Sequence, residues 1–197
     1  ANNSATLNFN VVNNPLINSR GSNAINVFAD GSATVQGRIN DNPYIQAGGC
    51  TGPVTCTSGF GIRAQANTDA NMALEIDGNT IGNIGFDAGI EVLSRLGGTG
   101  RLDATINNNT VTVDATNSLY DIWVQAQNSN TVCANVTDNT TSGNGIVAFR
   151  ARTVDAGSTV VLPGAGASAT AVWDGNGNTP TGSVSSSHNG TLTLGGT

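Results

Sequence analysis

The chain has 197 residues, which is long enough for one domain with an apolar core. Apolar residues make up 38% and charged residues 10% of the chain, with 26 glycines and no lysine, so the composition favours strands and turns over helices. The net charge of −6 excludes the basic surface that nucleic-acid binding requires, and no apolar run reaches the ~20 residues of a membrane span.

An eight-residue pattern recurs along the chain, as LEIDGNTI, ATINNNTV and ANVTDNTT show at positions 74–81, 104–111 and 134–141. The Asn of this pattern recurs at intervals of 28, 37, 30 and 30 residues. Apolar residues alternate with polar ones before it, which predicts a strand with one buried face. The five repeated residues are Asn14, Asn42, Asn79, Asn109 and Asn139.

A second strand follows in each unit, as AINVFA, FGIRAQA, AGIEVL, YDIWVQA and NGIVAFR. One unit cannot bury its apolar face alone, whereas stacked units bury it against their own copies about 4.8 Å away. The repeat therefore predicts a parallel β-solenoid. Its aligned inward column consists of Ile25, Ile62, Ile90, Ile122 and Ile146.

The repeated Asn stands at the bend between strands. Asn tolerates the left-handed conformation that sharp bends use, and stacked Asn amides can hydrogen-bond along the solenoid axis. We therefore predict a structural Asn ladder.

The interval of 37 residues contains an insertion, QAGGCTGPVTCTSGFG, which we expect to form a loop on one face. Cys50 and Cys56 lie close together in it, and this spacing favours a local disulfide formed in an oxidising compartment, with free loop thiols as the alternative. Cys133 is expected to be unpaired and to point outward.

The repeat ends after STVVLPG, which predicts a solenoid over residues 1–165. Residues 166–197 are predicted to form a C-terminal cap containing Trp173 and a low-complexity polar tail, with TLTL as a possible edge strand.

The [VI]-x-x-N-[TP] turn, the Asn ladder and the Gly-Ile strands resemble the right-handed parallel β-helix repeats of the pectate-lyase-like superfamily. The segment from TVCANVTDNTTSG to STVVLPG resembles the C-terminal repeat regions of very large bacterial surface or secreted proteins. The resemblance implies an all-β, right-handed parallel β-helix of about five to six coils and a secreted or cell-surface location. It does not select an activity, because the superfamily contains lyases, hydrolases, tailspikes and adhesin stalks.

No catalytic constellation stands out. Arg38 and Glu75, and likewise Arg63 and Glu91, fall in the same columns of successive units, as expected for ion pairs on the surface. His188 stands alone in SSSHNG and does not suggest a catalytic triad. No metal site or cofactor is predicted, although the Asp- and Asn-rich turns leave calcium as a weaker alternative.

Large apolar residues on the outward face of the second strand require cover by loops, another chain or a carbohydrate. We predict a ligand-binding patch there, formed by Phe28, Arg63, Glu91, Leu93, Trp123 and Phe149. The favoured function is a non-enzymatic β-helix module of a secreted or cell-surface bacterial protein, such as a stalk, adhesin or interaction surface. Its partner would be a polysaccharide or another surface protein. The alternative is a polysaccharide-binding or polysaccharide-cleaving domain.

Overall fold

The chain winds as a parallel β-solenoid of about five turns, which confirms the predicted fold class. Each turn contributes one strand to each of three parallel sheets, called sheets A, B and C. The computed structural model describes residues 1, 4–19, 22–47, 59–84, 87–113, 118–142, 147–164, 166–179 and 182–195.

Three strands make up each turn, and further elements follow the fifth turn. In chain order the strands of the turns are β1 (Thr6–Val12), β2 (Ile17–Ser19), β3 (Ile25–Ala29); β4 (Thr34–Asn40), β5 (Ile45–Ala47), β6 (Ile62–Asn67); β7 (Asn71–Asp77), β8 (Thr80–Ile84), β9 (Asp87–Arg95); β10 (Arg101–Asn107), β11 (Thr110–Val113), β12 (Ser118–Ala126); and β13 (Thr131–Thr137), β14 (Thr140–Thr141), β15 (Val147–Thr153). The later elements are β16 (Thr159–Leu162), α1 (Ala169–Gly175), β17 (Ser183–His188) and β18 (Thr191–Leu194).

Equivalent strands of successive turns lie side by side. Sheet A has the order β1-β4-β7-β10-β13-β16-β18, sheet B the order β2-β5-β8-β11-β14, and sheet C the order β3-β6-β9-β12-β15-β17. The core lies between the three sheets, where equivalent apolar side chains stack in columns. One buried column of sheet A consists of Val35, Met72, Leu102, Val132 and Val160.

The column of isoleucines in sheet C confirms most of the predicted register, but its last member differs. Ile25, Ile62, Ile90 and Ile122 are successive partners, and the next partner is Phe149. The predicted fifth member, Ile146, lies outside the described residues.

The outward position predicted for Phe149 is therefore wrong. Its ring is buried and stacks on the ring of Trp173, with centroids 4.8 Å apart. The physical reason is the cap: α1 covers the fifth turn, and an inward aromatic ring offers Trp173 a flat apolar surface.

Sheet B shows a second difference of register. The repeat predicts Leu16 and Tyr44 in the inward column beside Ile81, but the residues paired there are Ile17 and Ile45. Units one and two carry one additional residue after the ladder Asn, in NNPLI and DNPYI as compared with GNTI. Leu16 and Tyr44 are consequently exposed.

The Asn ladder forms as predicted and is longer than predicted. Asn42, Asn79, Asn109 and Asn139 are buried, and each receives hydrogen bonds on its side-chain oxygen from the preceding rung. Asn178, which follows α1, adds a rung beyond Asn139. Asn14, at the first turn, is only half-buried.

The left-handed residue of each bend is the one before the ladder Asn. These residues have φ between 52° and 65°, a region that Asn, Asp and Gly tolerate. They are Asn13, Asp41, Gly78, Asn108 and Asp138.

The C-terminal region closes the solenoid after the fifth turn. Ser168 caps α1 by accepting a hydrogen bond from the Ala171 N–H at 3.1 Å. Trp173 belongs to the helix and lies on its buried face. The low-complexity segment contributes two strands, since β17 pairs with β15 and β18 pairs with β16. No helix in the described part of the chain has the length and hydrophobicity needed to cross a lipid bilayer.

Candidate functional site

The outer face of sheet C carries two columns of side chains that alternate with the inward isoleucines and valines. Arg63, Glu91 and Trp123 occupy one column in successive strands, and Arg150 is the partner of Trp123 in the next strand. The second column runs through Phe28, Gln65, Leu93, Gln125 and Arg152. This register confirms that Leu93 faces outward, as predicted.

A groove of about 590 Å³ lies over this face and is called groove C. Its lining residues come from β6, β9, β12 and β15, from the segments before β3 and β6, and from the residue after β12. They are Ser22, Asn23, Phe60, Arg63, Asp87, Glu91, Leu93, Arg95, Trp123, Gln125, Gln127 and Arg152. Four of the six predicted patch residues thus come together in one groove.

The other two predicted patch residues do not line the groove. Phe149 faces the core, as described above. Phe28 is 37% exposed, but it lies at the first turn beside Leu7 and Phe9 in a separate apolar depression. Cys50 and Cys56, the two cysteines of the predicted disulfide in the inserted loop, lie outside the described residues.

Arg63 and Glu91 form an ion pair on the floor of groove C. The Nε of Arg63 lies 2.6 Å from Oε2 of Glu91, and Glu91 is only 2% exposed. Burial raises the pKa of Glu91 above its ordinary value, and the neighbouring Arg63 charge opposes this rise. The pair is therefore buried, whereas the sequence predicted a surface pair.

The ion pair between Arg38 and Glu75 on sheet A lies at the surface, as predicted. Nε of Arg38 lies 3.2 Å from Oε2 of Glu75, with 64% and 39% of the two side chains exposed. The two pairs thus differ in depth: Glu91 is almost fully buried, whereas both side chains of the sheet A pair are exposed to solvent.

Aromatic rings and arginines contact each other on the outer side of sheet C, where Phe60, Arg63 and Trp123 line groove C and Tyr120 and Arg150 do not. The rings of Tyr120 and Trp123 are 4.8 Å apart and tilted by 45°. The guanidinium of Arg150 lies 5.0 Å from the centre of the Tyr120 ring and 6.0 Å from that of Trp123, and it also contacts the Tyr120 hydroxyl. Arg63 lies 4.9 Å from the centre of the Phe60 ring. These cation–π contacts hold the arginines in place along one face.

Three buried polar atoms on groove residues have no hydrogen-bond partner among the described residues. They are Nε of Arg95, the indole Nε1 of Trp123 and Oε1 of Gln125. Buried polar atoms in folded proteins are nearly always paired, and leaving one unpaired costs about 1–3 kcal/mol. A ligand or an ordered water that enters the groove can supply the missing partners.

The basic residues of this acidic chain converge on the same face. Four of its seven arginines, Arg63, Arg95, Arg150 and Arg152, lie on the outer side of sheet C. Only Arg63 among them forms an ion pair with a described carboxylate.

A second, larger groove of about 680 Å³ runs over the outer face of sheet A. Its charged residues are solvent-exposed, and Arg38 is paired with Glu75. Cys133 is half-buried there in the column of Asp103, and its thiol is free, as predicted. Since no unpaired buried polar atom lines this groove within the described ranges, groove C is the stronger candidate.

Asp121 is a notable residue that the sequence reasoning missed. It is 1% exposed, its Oδ1 has no hydrogen-bond partner among the described residues, and burial raises its pKa to about 7. The signal was present in the repeat: the second and third units have Gly before the inward Ile, at Gly61 and Gly89, whereas the fourth unit has Asp.

The remaining candidates contribute no further site. His188 is exposed at the end of β17. Within the described ranges, no three His, Cys, Asp or Glu side chains are grouped so as to hold a metal ion. Calcium binding by the turns remains a prediction.

Comparison with protein-family models, curated proteins and solved structures finds no match to this chain. The assignment of function therefore depends on the fold and on groove C.

Proposed function

We propose that the chain is a non-enzymatic recognition module of a secreted or cell-surface protein, with groove C as its binding surface. The observation that carries this proposal is the group of buried, unpartnered polar atoms of Arg95, Trp123 and Gln125 in one groove. These atoms cost free energy in the unbound protein, and a ligand that pairs with them recovers it.

The solenoid suits this role mechanically. Each turn hydrogen-bonds to the next through three sheets and through the Asn ladder, so the side chains of groove C project from a continuous scaffold. Sites built on paired strands are positioned more accurately than sites on loops. The resemblance of the repeat to pectate-lyase-like β-helices and to bacterial surface proteins supports a place outside the cell.

A non-enzymatic role is supported by the state of the groove carboxylates. Glu91 is held by Arg63 and almost fully buried, so it is poorly placed to exchange protons with a substrate. The only His stands on an exposed strand outside the groove.

Polysaccharide binding with cleavage is the second candidate, and one observation favours it. Burial raises the pKa of both Asp87 and Glu91, and carboxyl groups with raised pKa values serve as acids in polysaccharide cleavage. A cleaving enzyme would use this pair as its catalytic carboxyls.

The test is a binding screen of the full chain against polysaccharides and extracellular proteins, followed by variants. We expect a ligand whose binding weakens at least about 10-fold in Gln125→Ala, where a buried partner is lost, and stays within about 2-fold in Gln36→Ala on sheet A. A ligand that responds to Gln36→Ala instead, or the absence of any ligand, contradicts the proposal.

Incubation of the same polysaccharides with wild type and with Glu91→Gln separates the two candidates. Product formation that disappears in Glu91→Gln would establish cleavage, whereas intact polysaccharide with retained binding supports recognition alone.

A further inference from the structure

Two arginines of groove C have no ion-pair partner of their own, although the charge of Arg95 reaches Glu91 and lowers the pKa of that carboxyl. Arg63 is paired with Glu91, whereas Arg95 and Arg152 form no ion pair within the described ranges. Arg95 lies on β9 and Arg152 on β15, so they flank β12 from its two sides. Both line groove C, and their long side chains make this end of the groove basic.

Gln125 lies directly beside Arg152 and two residues along the strand direction from the level of Arg95. Its neighbours in the outward column are Leu93 on β9 and Arg152 on β15. Gln125 is only 3% exposed, and its Oε1 accepts no hydrogen bond from any described residue. The Nε of Arg95 is likewise buried without an acceptor. A ligand that pairs with both atoms must therefore offer an acceptor to Arg95 and a donor to Gln125.

Charge is distributed unevenly along the groove. Asp87 begins β9 and Arg95 ends it, eight residues later. At about 3.3 Å per residue this separation is roughly 26 Å, with the neutralised Arg63–Glu91 pair between them. An anion is attracted to the end that carries Arg95 and Arg152, although the chain as a whole is acidic.

We propose that groove C binds an acidic segment of a partner polypeptide, with an Asp or Glu carboxylate held by Arg95 and Arg152. The inference rests on the proposed function of groove C as a recognition surface. The planar guanidinium group matches the two oxygens of a carboxylate. A backbone N–H of the same segment supplies the donor that Gln125 Oε1 lacks.

The contacts of Trp123 favour a polypeptide over a sugar. Tyr120 and Arg150 already contact its ring, so the ring is not an open platform on which a sugar could stack. Trp, Tyr and Arg together are the residues that dominate binding energy at protein–protein interfaces. A polypeptide can pair with the two unpaired donors, Arg95 Nε and Trp123 Nε1, and with the one unpaired acceptor, Gln125 Oε1, without needing a free aromatic face.

The test uses the full chain at low ionic strength with three polymers as probes. Poly-L-glutamate offers carboxylates and backbone N–H groups, and poly-L-glutamine offers the N–H groups without the negative charge. Dextran sulfate offers negative charge without carboxylates and without N–H groups. The readout is the indole N–H resonance of Trp123 in ¹H–¹⁵N spectra. Trp173, buried in the cap, is the internal reference.

We expect poly-L-glutamate to shift the Trp123 resonance and leave that of Trp173 in place, and poly-L-glutamine to shift neither. Arg95→Gln and Arg152→Gln should each weaken binding about 10-fold or more, because each removes a charge-assisted hydrogen bond. Arg38→Gln and Arg101→Gln remove the same charge from sheet A and should change binding less than about 2-fold. Thermal unfolding of each variant verifies that it is folded.

Several results overturn the inference. Stronger binding of dextran sulfate than of poly-L-glutamate would show a general polyanion site. Equal loss of binding in the sheet A variants would place the contact elsewhere. If a ligand from the binding screen shifts Trp123 in Arg95→Gln and Arg152→Gln as in wild type, the carboxylate assignment fails while groove C remains the binding surface. If no ligand from the screen shifts Trp123, the proposed function itself fails.

Discussion

The side-chain oxygen of Asn139 accepts two hydrogen bonds from Asn109, one from its backbone N–H and one from its side-chain amide, each 3.0 Å long. Asn109 in turn accepts the same pair of bonds from Asn79. Its amide also donates to the Ile76 carbonyl at 2.8 Å. One buried side chain therefore satisfies polar groups in three successive turns.

Replacing this rung should be costly. In Asn109→Ala the N–H groups of Asn79 lose their acceptor, and the Ile76 carbonyl loses a donor. We expect a loss of about 2–3 kcal/mol in the free energy of unfolding, measured by chemical denaturation. The control is Asn135→Ala, an exposed position on sheet A, which should change stability by less than about 0.5 kcal/mol. Equal effects of Asn109→Ala and Asn135→Ala on stability would contradict a stabilising role of the Asn ladder.

The stack between Phe149 and Trp173 should hold the cap on the solenoid. Trp173→Ala removes a fully buried ring from the contact with Phe149, so we expect a loss of about 3–5 kcal/mol in stability, measured by chemical denaturation. Trp173→Phe keeps an aromatic ring against Phe149 and should cost clearly less. If both substitutions leave stability unchanged, α1 does not cap the core.

Much of the fold could be predicted because neighbouring turns repeat the same pattern. In a parallel solenoid each strand pairs with its own copy in the next turn, so the alignment of Asn79 with Asn109 already fixes which residues are partners. Predictions failed where the copies differ. One additional residue follows Asn14 and one follows Asn42, and each moves the inward residue of the next strand by one position. The alternation of apolar and polar residues does not reveal this insertion.

The candidate site was less predictable because the alternation of apolar and polar residues indicates on which face of the sheet a side chain lies. It does not indicate how deeply that side chain is buried. The shared column of Arg63 and Glu91 was visible in the sequence, and the structure adds Trp123 to it. The burial of Glu91 and the unpaired atoms of Arg95 and Gln125 depend on side chains from neighbouring turns. Phe149 was misplaced because its partner, Trp173, comes from outside the repeat.

Two Arg–Glu pairs, one on sheet C and one on sheet A, offer a matched comparison of depth. Arg63→Gln breaks the buried pair and leaves the carboxylate of Glu91 buried without its ion-pair partner, so we expect a loss of about 2 kcal/mol in stability. Arg38→Gln breaks the exposed pair with Glu75 and should cost less than about 1 kcal/mol. Chemical denaturation at neutral pH measures both, and added salt should reduce only the smaller effect. A smaller loss for Arg63→Gln than for Arg38→Gln would contradict the burial of the first pair.

Asp121 should make the stability of the protein depend on pH. Its ordinary pKa of 3.8 rises to about 7 in the folded chain because burial disfavours the charged carboxylate. Below about pH 4 both the folded and the unfolded chain carry the proton, and the carboxyl imposes no electrostatic penalty. Between about pH 4 and pH 7 the unfolded chain loses the proton while the folded chain keeps it, so stability falls as pH rises.

The penalty should be complete above about pH 7, where it reaches up to about 4 kcal/mol. Asp121→Asn removes the ionisation and should therefore stabilise the protein relative to wild type at pH 8. Asp87 and Glu91 also have raised pKa values, but they are present in both proteins, so the difference between the two proteins isolates Asp121. We expect this difference to shrink progressively as the pH falls from 7 to 4, measured by urea denaturation. Asp174→Asn, at an exposed position in α1, controls for the chemical change. A difference between wild type and Asp121→Asn that stays constant across this range would show that Asp121 is ionised in the folded protein at every pH tested.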